Sequence, residues 1–172
     1  MADFLQEPRM KIHAGVITIS DKGSRGERED KSGPEIIAML ESMGITILHS
    51  KVIPDDEELI KEALIEYADV KRLDLILTTG GTGVSPRDVT PDATLQVIEK
   101  EVPGMAEAMR RESAKITPHA MISRAVTGIR GASLIINLPG SPKGVRENLA
   151  VVLPALNHAV EKIKGDEKEC GQ

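Results

Sequence analysis

The chain has 172 residues, a formal net charge of −5, 40% hydrophobic and 28% charged residues, the profile of one soluble globular domain large enough for a real core. The negative balance argues against non-specific nucleic-acid binding, and with one Phe, one Tyr and no Trp there are no stacking platforms for a single strand. A single cysteine, Cys170, excludes an intramolecular disulfide, and no apolar run is long enough to span a membrane, which together point to the cytoplasm.

Residues 1–10 read as a loose leader with acids and a proline and no apolar signal core. Residues 11–20 predict a strand. It is apolar at nearly every position from Ala14 to Ile19, as expected of a central parallel strand covered on both faces. Ser20 and Asp21 mark its carboxyl end. The charged, glycine-containing residues 22–31 read equally well as a solvated turn or as a mobile flap, because ligands in open α/β sheets sit at strand carboxyl ends. Ser32-Gly-Pro-Glu35 opens a helix with Pro34 suited to the first position; Ile36, Ile37, Leu40 and Met43 form its apolar face and Gly44 its stop. Residues 45–53 form the second strand. Pro54-Asp-Asp-Glu-Glu58 starts a helix with Ile60, Leu64 and Tyr67 inward. Glu57 and Glu58 read as partners of the helix dipole. Asp55, just past a strand end on the same edge as Asp21 and Asp88, is a candidate functional acid.

The third strand, residues 74–78, delivers Thr79-Gly-Gly-Thr-Gly-Val-Ser-Pro-Arg-Asp-Val-Thr-Pro-Asp92. Gly80, Gly81 and Gly83, with Thr82 among them, permit φ > 0 and close backbone approach. Ser85, Arg87 and Asp88 follow, then a helix start with Thr90 as N-cap, Pro91 at the first position and Asp92 in the first turn. Strand, glycine loop, acid and helix N-terminus is an arrangement for holding an anion. An aspartate there would repel a bare phosphate, which suggests an intervening cation such as Mg²⁺. The loop lacks the Lys-Ser/Thr ending of the P-loop and the spacing of the dinucleotide fingerprint, which argues against a dehydrogenase.

The helix that follows runs to about residue 100 with Leu95 and Ile98 inward, and Pro103-Gly104 breaks it. Residues 105–114 form another helix, with Met105, Ala108 and Met109 on its buried side. Residues 117–124 are a connector; His119, without a spaced partner, reads as a surface or satisfied side chain rather than a general base. Strands at residues 125–129 and 133–138 are joined by Arg130-Gly-Ala132, so short a link that it implies an antiparallel hairpin; the first strand, interrupted by glycine, reads as an edge. Pro139-Gly-Ser-Pro-Lys-Gly144 is a second loop-to-helix anion site, with Ser141 as N-cap and Pro142 at the first position. The last helices run to Lys164, with Pro154 restarting or kinking them, and residues 165–172 form a frayed polar tail. The alternation predicts an α/β fold: one domain over residues 11–164, three-layer, with a mostly parallel doubly wound sheet, right-handed crossovers and one antiparallel edge hairpin.

The loops gather Asp21, Asp55, Asp88, Thr82, Ser85, Arg87, Thr90 and Ser141 without a Ser-His-Asp set or a zinc-type cluster. A site with no nucleophile of its own suits phosphoryl or nucleotidyl transfer, where positioning and charge neutralisation do the chemistry. The glycine string, together with Gly15-Val-Ile-Thr-Ile-Ser-Asp21, Val52-Ile-Pro-Asp-Asp56, Met121-Ile-Ser-Arg124, Gly128-Ile-Arg-Gly131 and Asn137-Leu-Pro-Gly-Ser-Pro142, closely resembles the molybdopterin adenylyltransferase family of the MogA and MoaB type. The resemblance spans about residues 11–164, and the same domain occurs in gephyrin.

What the resemblance implies is a molybdopterin-binding-domain-like fold and a Mg²⁺-dependent reaction in molybdenum cofactor biosynthesis. The terminal phosphate of molybdopterin attacks the α-phosphate of ATP, giving adenylyl-molybdopterin and pyrophosphate. It implies a homotrimer, with the next enzyme of the cofactor pathway as a possible partner. The family's two essential acids fall on Asp55 and Asp88, which would also hold Mg²⁺. Nucleotide phosphate would fall on Gly80, Gly81, Thr82 and Gly83. Pterin contacts would fall on Ser123, Arg124 and the loop Pro139, Gly140, Ser141, Pro142. Ser20, Asp21, Ser85 and Arg87 are further candidate substrate contacts; Arg87 reads either as a neutralising charge or as a surface arginine. The alternative is a non-catalytic molybdopterin-binding or scaffold protein of the same family.

Overall fold

Three strands are buried along almost their whole length: β1 (His13–Ile19), β3 (Leu75–Thr79) and β6 (Ser133–Leu138). In the computed structural model, which describes residues 10–165, they form the middle of one sheet. Cys170, most of the expected leader and most of the expected tail lie outside the described residues. With β2 (Thr46–Ile53), β4 (Lys100–Glu101) and β5 (Thr127–Arg130), the strand order is β2-β1-β3-β6-β5-β4. The first four are mutually parallel; at one side β5 pairs antiparallel with both β6 and β4. Continuous apolar runs are what a strand covered on both faces requires.

The helices supply those covers. On one face α2 (Ser32–Ser42), α5 (Pro103–Ala114) and α6 (Pro142–Ile163) pack Ile36, Leu40, Met109, Leu149 and Leu156 against Val16, Leu75, Leu77 and Ile136. On the other, α3 (Glu57–Ile65) and α4 (Thr90–Val97) pack Ile60, Leu64, Ala93 and Val97 against Ile17, Ile76 and Ile135. Each fully buried leucine or isoleucine contributes roughly 1.5–3 kcal/mol. The expected three-layer, mostly parallel fold is therefore present, and no helix among the described residues is long and apolar enough to cross a membrane. A short α1 (Asp21–Ser24) follows β1.

Several boundaries differ from expectation. α4 stops at Val97, because the chain then turns into the sheet: Glu99 N donates to the Ile129 carbonyl at 2.8 Å and Val102 N to that of Thr127 at 2.8 Å. This two-residue β4 takes the edge, so β5 is internal. Gly128 is required there, since a Cβ would lie 2.8 Å from the Lys100 carbonyl oxygen and 2.5 Å from Ile98 Cδ1. Leu95 is exposed rather than inward. Pro103 opens α5 instead of breaking a helix. α6 is one helix straight through Pro154, whose ring is on the solvent side. The opposite edge, β2, skips one residue in its pairing: Ala14 faces Ile47 and Gly15 faces His49. The bulge at Leu48 interrupts an otherwise open edge.

The amino ends of the strands are closed by Asp74, which is buried. Its carboxylate accepts from His13 N at 2.8 Å and from Lys164 Nζ at 2.6 Å, just past the end of α6. Lys164→Met is expected to cost about 1–3 kcal/mol by leaving a buried carboxylate oxygen without its cation. Denaturant midpoints would register this; an unchanged midpoint would show that solvent satisfies Asp74 equally well.

Candidate functional site

The carboxyl ends of β1, β2, β3 and β6 converge on one edge. Ser20 N donates to the Ile53 carbonyl at 2.8 Å, joining the ends of β1 and β2. Ser20 Oγ accepts from Gly23 N at 3.0 Å and so caps α1. Asp21 and Asp55 then hold each other's backbone: Asp21 N donates to Asp55 Oδ2 at 2.9 Å, and Asp55 N to Asp21 Oδ1 at 3.0 Å. Arg87 lays its guanidinium fork on Asp21, with contacts of 2.7, 2.8 and 3.1 Å.

The two acids consequently differ. The Arg87 bond holds the Asp21 carboxyl below its ordinary range. Asp55 is pushed up, chiefly by burial and further by the charges of Asp21 and Asp88, against the opposing pull of Asp21 N and Arg87. One carboxylate is satisfied by its own cation. The other is half-buried, and among the described residues no Lys or Arg pairs with it directly. Such a group favours an added positive charge.

The glycine loop is built by close approach. Gly80 has φ 102°, and a Cβ there would run into the Ile19 carbonyl oxygen. Gly81 has φ 65°, and its Cβ would lie 2.5 Å from Thr90 Oγ1 and 3.2 Å from Asp55 Oδ1. A Cβ on Gly83 would lie 2.8 Å from Asp88 Oδ2. Asp55 and Asp88 therefore flank the loop at Gly81 and Gly83. Gly140 lies directly over Gly80, its Cβ position 3.2 Å from Gly80 Cα. Gly80 N donates to the Leu138 carbonyl at 3.1 Å, and Thr79 Oγ1 to that of Pro139 at 2.7 Å. The two loops anticipated as separate anion sites thus form one unit.

Thr90 is not an N-cap. It is the first helical residue, Val89 occupies the cap position without a side-chain bond, and the Thr90 hydroxyl donates to the Gly80 carbonyl at 2.9 Å. Thr90 N is spent on the Gly81 carbonyl at 3.2 Å, and Pro91 has no N–H. The start of α4 thus grips the loop rather than offering amides to an anion. Ser141 is the expected cap of α6, accepting from Gly144 N at 3.0 Å.

Two cavities border this unit. The larger, about 850 Å³, is walled by Ser20, Asp55, Gly80, Gly81, Gly140 and Pro142, and also by Arg28 and Lys31. The smaller, about 420 Å³, is walled by Thr82, Gly83, Ser123 and Pro139, with Arg110 and His119 beside them. Ser141 borders both. Of residues 22–31, Gly23 and residues 28–31 line the larger cavity, pinned by Asp30: Thr18 Oγ1 donates to its Oδ2 at 2.7 Å, and Ser32 N and Gly33 N to its Oδ1, both at 3.0 Å. Ser32 Oγ in turn donates to the Gly140 carbonyl at 2.8 Å.

Ser85, Arg87 and Asp88 stand on the outer arm of the glycine loop, outside both sets of walls. Asp88 Oδ2 accepts from Ser85 N at 2.9 Å. Arg124 also lies outside them. Its guanidinium donates to the carbonyls of Gly83 and Asp88 at 2.9 and 2.6 Å and to Asp92 at 2.9 and 3.1 Å. That is the arrangement of a clamp on the loop. Among the described residues no group of three or more His, Cys, Asp or Glu is placed to hold a metal. Two carboxylates alone suit an ion such as Mg²⁺, which keeps most of its ligands as water and substrate phosphate.

Sequence reading missed a buried support. Asn137 Nδ2 donates to Thr78 Oγ1 and Thr94 Oγ1, both at 3.0 Å, while its Oδ1 accepts from Val126 N at 3.1 Å. Thr94 Oγ1 donates to the Thr90 carbonyl at 2.8 Å. Asp30 was also missed and Ser32 read only as the opening of a helix, although Asp-x-Ser-Gly-Pro ahead of a helix carries a capping signal.

A family described as a probable molybdopterin binding domain matches residues 15–158. A molybdopterin adenylyltransferase of Helicobacter pylori (strain J99) is 45% identical over 157 residues, covering 90% of this chain and 89% of that protein. Gephyrin of Dictyostelium discoideum is 46% identical over 164 residues; 90% of this chain is covered, and it spans 23% of that protein's length. The crystal structure of the molybdopterin biosynthesis enzyme MoaB from Thermus thermophilus superposes with a TM-score of 0.85 at 48% identity, covering 90% of this chain and 98% of that one.

Proposed function

The chain belongs to the molybdopterin adenylyltransferase family of the MogA and MoaB type, and from that membership we propose that it transfers AMP from ATP to the terminal phosphate of molybdopterin, with Mg²⁺ as cofactor. The observation that carries the reading is the glycine loop at the junction of two cavities, with Asp55 beside Gly81 and Asp88 beside Gly83. In this reading the triphosphate lies along Gly80–Gly81 in the larger cavity. The pterin occupies the smaller one against Ser123 and Pro139, and the two reacting phosphates meet beside Ser141.

The chemistry asks little of the protein beyond placement. A phosphate oxygen of the pterin, already ionised, forms a bond to the α-phosphorus of ATP. The bond from that phosphorus to the bridging oxygen breaks, and pyrophosphate carries away the electron pair. No general base is needed, in keeping with His119 standing exposed at a cavity rim. Asp55 and Asp88 would hold Mg²⁺, which when bound neutralises charge between the acids and the triphosphate. Arg28 and Lys31 supply positive charge from the lining of the larger cavity, and loop amides face the phosphate charge as it shifts. Homotrimer assembly, a cytoplasmic setting and hand-over to the next enzyme of the pathway belong to the same proposal.

The test is purified protein with molybdopterin, ATP and Mg²⁺, scored for pyrophosphate and adenylylated pterin. Product is expected with Mg²⁺ and is lost when the ion is chelated. Tight pterin binding with no product under either condition would instead establish the scaffold reading.

A further inference from the structure

We infer that Thr90 is a positioning residue that aims the Gly81 amide at the nucleotide phosphates; the inference rests on the nucleotide site proposed above. Thr90 grips two successive carbonyls at once. Its hydroxyl donates to Gly80 O at 2.9 Å and its backbone N–H to Gly81 O at 3.2 Å. The peptide bonds are trans, so each carbonyl and the following N–H point in opposite directions. With both carbonyls drawn toward α4, the N–H groups of Gly81 and Thr82 are turned away from it. Gly81 walls the larger cavity and Thr82 the smaller. Among the described residues neither amide donates to another group. The free Gly81 amide, set between glycine torsions of φ 102° and 65°, is thereby presented to the larger cavity.

The grip is itself held from below. Thr94 Oγ1 bonds the Thr90 carbonyl, and Asn137 bonds Thr94. Thr90, Thr94 and Asn137 are all fully buried, so solvent cannot replace the lost hydroxyl. Without it the Gly80–Gly81 peptide can rotate about its flanking glycine torsions, and the Gly81 amide loses its aim. The backbone bond from Thr90 N would remain, so the Thr82 amide is the less affected.

The experiment compares Thr90→Val, Thr90→Ala and Thr90→Ser with the unaltered protein. Each is measured for ATP binding by calorimetry in Mg²⁺, for KM values and kcat in adenylyl transfer, and for thermal unfolding. Loss of the hydroxyl is expected to raise the KM for ATP about tenfold or more, as for a hydrogen bond supporting a charged ligand. The KM for molybdopterin should stay within about threefold, and Thr90→Ser should restore ATP binding to within about threefold. A folded Val or Ala variant with unchanged ATP KM and kcat overturns the assignment. So does a Ser variant as impaired as Val, which would make the methyl group the important part. Failure of both Val and Ala to fold also overturns it, because the hydroxyl is then a requirement of the fold. If the unaltered protein itself binds no ATP, the nucleotide site fails instead of the clamp.

Discussion

Gly80→Ala is expected to destabilise the protein by roughly 3–5 kcal/mol and to abolish nucleotide binding in whatever folded protein remains. Two costs combine. An L-residue at φ 102° carries backbone strain of about 1–3 kcal/mol. The new Cβ would also collide with the Ile19 carbonyl oxygen, a backbone atom of the neighbouring strand that cannot move without β1 and β3 parting. Gly140 is also packed against Gly80, its Cβ position 3.2 Å from Gly80 Cα, which leaves the loop little room to shift. Gly131 provides the control: its φ is 54°, but nothing lies within 4 Å of its Cβ position. Gly131→Ala should therefore cost only about 1 kcal/mol. Chemical denaturation of the two variants separates conformational cost from collision. If Gly80→Ala comes within about 1 kcal/mol of Gly131→Ala, the close packing of β1, β3 and β6 at this edge is not what holds the loop.

That contrast also explains which parts of the molecule the sequence discloses. Residues 75–79 and 133–138 are apolar or β-branched almost throughout, because neighbours cover both faces, so their central place can be read directly. β4 cannot be read: two charged residues, Lys100 and Glu101, have no period and look like a helix end. They belong to the sheet because residues 99 and 102 bond to Ile129 and Thr127, 30 and 25 positions later. The acids at strand ends are visible for the same reason the strands are. What each acid does is not, because Asp21 receives its cation from Arg87, 66 residues on. Thr90 before a proline has the local signature of a cap, yet its hydroxyl bonds to Gly80. Arg124 is a pterin contact only by what the family resemblance implies, and nothing in its local sequence shows that its guanidinium bonds to Gly83, Asp88 and Asp92. Local chemistry announces that a polar group will be satisfied; only the tertiary fold decides by whom.

Asp55→Asn and Asp88→Asn are each expected to lower adenylyl transfer by on the order of 10²–10³, the loss typical when a preorganised charge or donor at the reacting centre is removed. Their effects on stability should differ from those of ordinary buried-polar mutations. Asp55 has a folded pKa raised above its ordinary 3.8, chiefly by burial. A carboxyl with a raised folded pKa binds its proton more tightly in the native state. Its stabilising contribution is fully present below 3.8 and lost as pH rises through the folded value. At neutral pH the ionised group opposes the fold. Asn keeps an oxygen to accept from Asp21 N and carries no charge. Asp55→Asn should therefore be as stable as the parent or more so at neutral pH, with its advantage growing as pH rises through the window above 3.8. Asp21 has the opposite sign: the Arg87 pair lowers its pKa, so its contribution is present above 3.8 and lost as pH falls through the depressed folded value. Unfolding followed across pH in parent and variants reads both slopes. A large activity loss with unchanged or increased stability is what a group placed for a cation, at the fold's expense, must produce. An Asp55→Asn protein more than about 1 kcal/mol less stable at neutral pH would instead make the carboxylate a strut between the ends of β1 and β2.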